Sequence, residues 1–239
     1  RLRILEVDCD VDSGDDDVLG AVVTLAPLLE ELIVHGAPSV AVLPQLSHLH
    51  TLRVEDSWHT ESSVLASILA MPSLRELCIG RGTAHYGGLD AKVWNGAVRS
   101  LDASGSSSQL VSLSFGPCEV STGYEDLFYV PATVFRALHK LDAVDRLVEI
   151  DDDLAPQLEF FSGKVMSADF DELDDMHHLR DVRVRCDETL SPDAEQRFLA
   201  LSRLETLTTL GDLYCIDYLR SGANVRNLKR IDVSVRELP

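Results

Sequence analysis

A short pattern of apolar residues recurs along this chain: one apolar residue, two others, a second apolar residue, one other, and a third. The second and third apolar positions are two residues apart, which is the spacing of side chains on one face of a β-strand. The pattern therefore predicts short strands, each with one buried and one wet face. Copies begin at Leu2, Leu29, Leu49, Leu74, Leu110, Leu179 and Leu228, with weaker ones at Leu204 and around Leu147.

The second apolar residue of each copy marks the centre of a predicted strand. Many steps between these centres fall within about 20–29 residues, which is the length of one leucine-rich repeat. Three steps are longer, and residues 140–178, with their acidic runs, are predicted to be irregular. We expect the strands to be parallel and side by side in one sheet. Their centres are Leu5, Leu32, Leu52, Leu77, Leu113, Val182, Leu207 and Ile231, and the weak copy around Leu147 enters only the series of steps.

Helical stretches are predicted between several strands. Apolar residues follow helical spacing from Val18 to Leu25, from Val64 to Leu69, and at residues 198–201. Residues 81–109 are rich in Gly and Ser at both ends and form a predicted irregular insertion, with a short helix around Trp94 in which core packing is expected. Alternating strands and helices indicate an α/β fold. In a Rossmann-like sheet the strands would be continuously apolar, but Arg53 stands between two apolar positions.

The copies over Leu29–Val34, Leu49–Val54 and Leu74–Ile79 resemble leucine-rich repeat proteins, and their irregular lengths resemble the repeat region of fungal F-box proteins. The resemblance implies one solenoid domain over residues 1–239, a curved horseshoe with parallel strands on its concave face and helices on its convex face. It also implies protein binding, as the substrate-recognition part of an F-box type ubiquitin ligase receptor. The alternative is a regulatory or scaffold repeat domain of a larger signalling or sensor protein.

The net charge limits the classes of partner that are expected, and the cysteine spacing bears on the cellular compartment. The formal net charge of −19 disfavours binding to nucleic-acid phosphates and to anionic membranes. The sequence contains no apolar run long enough to span a bilayer. The five cysteines lack the paired spacing of a disulfide framework or zinc site, which favours the cytoplasm or the nucleus. Because Arg1 lies next to a predicted strand, we expect the chain to be part of a longer protein.

Sequence motifs for catalysis or for metal binding are missing. There is no nucleophile elbow, dinucleotide-binding motif or P-loop, so we expect neither enzymatic activity nor a cofactor. The carboxylates of residues 8–16 have the spacing of a calcium loop, but Ser13 and Leu19 replace the required Gly and Glu. His177 and His178 are adjacent and do not converge easily on one ion, so no metal site is predicted.

Partner binding is predicted on the wet face of the strands, where charged residues alternate with the core positions. Ser112 and Ser114 are expected on that face as well. Basic residues near the C-terminal end of the chain stand out against the acidic background. Arginine is favoured at interfaces because its planar group pairs with carboxylates and stacks on aromatic rings. The predicted partner-binding residues are Arg53, Glu55, Trp58, Arg183, Arg185 and Arg230.

Overall fold

The computed structural model describes residues 2–9, 18–36, 40–55, 60–80, 89–116, 127–164, 176–186, 201, 203–211, 227 and 229–234. Within these residues the chain forms strands, helices and two short 3-10 segments. The strands are β1 (Ile4–Cys9), β2 (Glu31–Gly36), β3 (Thr51–Glu55), β4 (Glu76–Ile79), β5 (Ser112–Phe115), β6 (Phe128–Val130), β7 (Lys140–Ile150), β8 (Phe160–Lys164), β9 (Asp181–Cys186), β10 (Thr206–Gly211) and β11 (Arg230–Ser234). The helices are α1 (Val18–Leu25), α2 (Ser62–Leu69) and α3 (Ala91–Ser104), and the 3-10 segments are Val40–Gln45 and Ala155–Gln157.

The described strands form one sheet in chain order, β1-β2-β3-β4-β5-β7-β8-β9-β10-β11, with β6 paired to β7 beside that path. Every pairing is parallel. The predicted parallel, side-by-side arrangement is therefore confirmed. A sheet in chain order places each strand next to those of the repeats before and after it, so each repeat contacts mainly its neighbours.

A regular backbone motif joins each repeat to the one before it. The N–H groups of Glu30 and Glu31 both donate to the carbonyl of Arg3, at 2.9 and 3.0 Å. The same paired donation recurs at every junction of the ten-strand path, as far as Lys229 and Arg230, which donate to the carbonyl of Glu205 at 2.8 and 3.2 Å. This motif keeps the repeats in register, because a slipped strand would lose both hydrogen bonds.

The core lies on one side of the sheet and is built from the recurring apolar positions. Leu32, Leu52 and Leu113 are fully buried, and each adds about 1.5–3 kcal/mol of hydrophobic stabilisation. A tight turn precedes most strands and places another apolar side chain in the core; Leu29 N–H donates to the Ala26 carbonyl, for example, and Leu49 N–H to that of Leu46. The first apolar position of the pattern is at most 7% exposed at Leu29, Leu49, Leu74, Leu110, Leu138, Leu158, Leu179 and Leu204.

The predicted repeat spacing was wrong for residues 140–164. These residues contain two regular repeats rather than one irregular segment. Leu113 pairs in register with Leu141, not with Leu147, and Phe161 then pairs with Val182. Leu147 follows a register shift within β7 and is not a repeat position. With Leu141 and Phe161 as centres, every step falls within about 20–29 residues except the one that contains α3.

The long step from Leu77 to Leu113 is occupied by α3, as the helical spacing around Trp94 predicted. Asp90 caps this helix by accepting from Lys92 N–H at 2.7 Å, and Gly105 ends it at a φ of 67°, a left-handed conformation that suits glycine. Trp94 is fully buried, stacks on Phe135 at 5.6 Å and donates its ring N–H to the Tyr129 carbonyl at 2.8 Å. The expectation of core packing for Trp94 is confirmed.

The other helices agree with the sequence analysis, with one exception. Helices α1 and α2 coincide with the predicted apolar patterns, and they bury Leu19 and Leu65. Leu25 was expected to belong to the buried stripe of α1, but it is 83% exposed, because the buried side of this segment consists of Leu19, Val22 and Ala26. The helix predicted at residues 198–201 lies mostly outside the described residues. No helix in the described ranges is long and apolar enough to cross a membrane.

Candidate functional site: the strand face

The side chains that alternate with the core positions form the strand face, the side of the sheet turned away from the core. Arg53 and Glu76 are exposed there, and Glu31 and Cys78 are half-buried. Ser114 was expected to be exposed but is 7% exposed, a correction that follows from its size. A serine in register between Cys78 and Asp142 is too short to rise above its neighbours on strands about 4.8 Å away.

An aromatic ring flanked by two cations forms the most distinctive group on the strand face. Phe160 on β8 is half-buried, while Lys140 on β7 and Arg183 on β9 are exposed. Lys140 Nζ lies 5.0 Å from the centroid of the Phe160 ring, and Arg183 Cζ lies 5.3 Å from it. Both distances are within the roughly 6 Å range of cation–π attraction. Because β7 and β9 flank β8, the two cations approach the ring from both neighbouring strands.

Acidic groups lie deeper than these cations. The Asp181 side chain is 30% exposed and its Oδ1 is 3.8 Å from Nε of Arg183, whose side chain is 50% exposed. Burial and the nearby Asp142 raise the pKa of Asp181, while Arg183, Lys140 and Arg230 oppose that rise. Asp142 itself is only 3% exposed. Among the side chains described in this part of the face, the most exposed charges are therefore those of Lys140, Arg183 and Arg230, although the chain as a whole is acidic.

The N-terminal part of the strand face has a different character, because its charged side chains are paired with each other. His35 lies between two carboxylates, with Nε2 2.8 Å from Glu6 and Nδ1 3.3 Å from Glu55. The hydrogen bond with Glu6 raises the pKa of His35. Arg53 Nη2 lies 3.7 Å from Glu31 Oε1. These contacts link β1, β2 and β3. No Phe, Tyr or Trp side chain occurs among the face residues described there.

Four of the six predicted partner-binding residues have described side chains on the strand face. Arg53 and Glu55 lie on β3, whereas Arg183 lies on β9 and Arg230 on β11. Arg53 and Arg183 are five strands apart in the sheet order, roughly 24 Å at about 4.8 Å per strand, so the structure does not bring the two groups together. Arg185 is placed by its backbone alone, in register with Lys164. Trp58 lies outside the described residues.

Sequence reasoning missed Lys140 and Phe160, the two residues that complete the aromatic group. Both precede a repeat centre by one position, just as Asp181 precedes Val182. The available signal was the apolar pattern that begins at Leu138 and Leu158, which matches the other copies. Its third positions are the small residues Ala143 and Gly163, which made the copies less conspicuous than those ending in valine.

One arginine, Arg146, is buried and contacts both backbone carbonyls and an aromatic ring of the core. Arg146 is 3% exposed and donates to the carbonyls of Gly116 and Leu89 at 3.2 and 3.0 Å. Its guanidinium lies 4.8 Å from the centroid of the Phe128 ring. These contacts give Arg146 a structural role. Among the described residues, no three His, Cys, Asp or Glu side chains are grouped so as to hold a metal ion.

The fold and the face define a class: an α/β repeat protein with a parallel sheet, a leucine-rich core and one open strand face. No protein-family model matches the chain, and no curated protein matches it. Among solved structures, the chain is similar to internalin C2 from Listeria monocytogenes, with 15% sequence identity and a TM-score of 0.47. The alignment covers 80% of this chain and 74% of that one.

Proposed function

We propose that this chain is a protein-binding module whose strand face holds the partner. The observation that carries the proposal is the placement of the exposed Lys140 and Arg183 on either side of the half-buried Phe160, which puts an aromatic ring and two cations on a hydrogen-bonded sheet. Arginine and aromatic side chains, phenylalanine among them, are enriched at protein interfaces. Sheet residues also lose little conformational freedom on binding, because the fold has already ordered them.

The proposal includes a curved sheet with the strand face concave, since stacked repeats rotate slightly and create extended concave binding surfaces. A large partner would then contact several repeats at once. The role is binding rather than catalysis. The single domain over residues 1–239 and a location in the cytoplasm or nucleus belong to the same proposal, the latter on the absence of paired cysteine spacing.

Photo-crosslinking tests which surface meets the partner. A crosslinking amino acid is placed at Arg53 or Arg183 on the strand face, and at Lys92 or Arg99 on the exposed side of α3. The full chain is expressed in cells and the crosslinked proteins are identified. We expect products from the strand-face positions and none from α3. Crosslinking from α3 alone would refute the proposal and transfer the site to the predicted insertion at residues 81–109.

A more specific role is substrate recognition within an F-box type ubiquitin ligase receptor. The support is the resemblance of the repeats over Leu29–Ile79 to the repeat region of fungal F-box proteins. In that role, proteins crosslinked to the strand face would become more abundant when the full-length protein is deleted, and a ubiquitin-ligase scaffold would co-purify with it. Stable partner levels and no scaffold would favour the alternative, a regulatory or scaffold repeat domain of a signalling or sensor protein.

A further inference from the structure

We propose that the part of the strand face around Phe160 binds a short, extended, acidic segment of the partner protein. The Phe160 patch is defined as Lys140, Phe160, Arg183 and Arg230. This inference rests on the proposed function and adds to it the chemistry of the partner. Lys140 and Phe160 are adjacent in register on β7 and β8, and Asp181 and Thr206 continue the same row to Arg230 on β11.

The first argument is that the basic side chains of the patch are more exposed than the acidic side chains beneath them. Lys140, Arg183 and Arg230 are exposed, whereas Asp142 is 3% exposed and Asp181 is half-buried. A ligand that approaches the patch therefore meets cations before it meets carboxylates. The guanidinium of an arginine forms two parallel hydrogen bonds with a carboxylate, which makes carboxylates the favoured groups in a protein ligand.

The second argument is that the patch is preorganised. The Phe160 ring attracts both Lys140 Nζ and Arg183 Cζ, at 5.0 and 5.3 Å. Two flexible side chains are thereby held near one ring, which lowers the entropy that binding has to remove. The half-exposed ring also offers apolar area between the cations. We therefore expect the acidic segment to carry one apolar side chain that packs against Phe160.

The third argument concerns length and the competing ligand. Lys140 and Arg230 are separated by four strand spacings, roughly 19 Å, which about six residues of extended chain can span. A segment this short feels mainly the local field, because charges beyond the Debye length of about 8–10 Å are screened. A nucleic acid would extend past the patch, and the net charge of −19 would repel its closely spaced phosphates.

The test is a selection from a displayed library of random peptides against the full chain. Recovered peptides are measured for affinity and salt dependence, and an oligothymidine is measured as the nucleic-acid probe. We expect recovered peptides rich in Asp and Glu around one apolar residue. Lys140→Glu with Arg183→Glu should weaken their binding by at least about tenfold, and Phe160→Ala by about fivefold.

The matched control is Lys92→Glu with Arg99→Glu, which makes the same change of charge on the exposed side of α3 and should leave affinity unchanged. Circular dichroism and thermal melting verify folding. If charge reversal disrupts the fold, Lys140→Arg with Phe160→Leu keeps the charges and replaces the ring. Acidic peptides should then bind more weakly but keep their salt dependence, and unchanged affinity would contradict the inference.

The outcomes separate the inference from the proposed function. Recovered peptides without an excess of acidic residues, but whose binding is lost in the strand-face variant, would overturn the inference and leave the function standing. Peptides whose binding is lost only in the α3 variant would overturn both. Failure to recover any acidic binder, or tighter binding of oligothymidine than of acidic peptides, would also overturn the inference.

Discussion

Replacing Leu52 by alanine tests whether the two faces of the sheet are assigned correctly. Leu52 is fully buried between Leu32 and Leu77 on the neighbouring strands, so truncation leaves a cavity that rigid neighbours cannot fill. We expect a loss of about 3 kcal/mol, within the range of about 2–5 kcal/mol for such changes. The adjacent Arg53 is 45% exposed and makes one ion pair at 3.7 Å. Arg53→Ala should therefore cost about 0.5 kcal/mol or less.

Urea titration monitored by circular dichroism measures both variants. For a slope of about 3 kcal/mol per molar urea, the midpoint of Leu52→Ala should fall by about 1 M, while that of Arg53→Ala stays close to the wild-type value. Leu52→Met keeps the volume and should cost less than about 1.5 kcal/mol. Leu52→Asp buries a charge without a partner and should abolish folding of the adjacent repeats. Similar losses for Leu52→Ala and Arg53→Ala would refute the assignment of the faces.

Three further substitutions probe polar and aromatic contacts. The hydrogen bond with Glu6 raises the pKa of His35 above its ordinary 6.5, so the charged imidazole stabilises the fold at low pH. That contribution is lost as pH rises through the folded pKa, and stability should fall more from about pH 6 to about pH 8 in wild type than in His35→Gln. Arg146→Met leaves two buried backbone carbonyls without their donor and should cost about 2–4 kcal/mol in urea unfolding. Trp94→Phe loses the donation to the Tyr129 carbonyl and should cost about 1–3 kcal/mol, with loss of the buried-tryptophan fluorescence.

The strand positions were predictable because burial repeats in the sequence. At Leu32, Leu52 and Leu77, apolar residues stand two apart and three residues after another leucine, and the structure uses all of these positions as core. The error at Leu147 has a physical origin. Leu147 and Ile150 are apolar and 8% and 4% exposed, but they lie in the extension of β7 beyond its register shift, where burial does not follow the repeat.

The candidate site was less predictable, since it depends on which residues become neighbours across strands. Arg183 was recognised because its wet position follows from alternation within β9 alone. Its contact with Phe160 requires the register of β8 and β9, which places Ser162 beside Arg183 and Asp181 beside Phe160. That register could be inferred only after β8 had been recognised as a repeat. The two missed copies of the pattern, at Leu138 and Leu158, therefore concealed Lys140 and the Phe160 ring.

The two parts of the strand face differ in what binding would cost. At the N-terminal part, His35 and Arg53 already pair with carboxylates of neighbouring strands, and a ligand would have to compete with these contacts. Near Phe160, Arg183 has one long ion pair, with the half-buried Asp181 at 3.8 Å, and the ring holds Arg183 and Lys140 without accepting a hydrogen bond from either. A ligand carboxylate can therefore bind there without displacing the ring. For this reason an acidic ligand favours the C-terminal part of the face, although Arg53 is as exposed as Arg183.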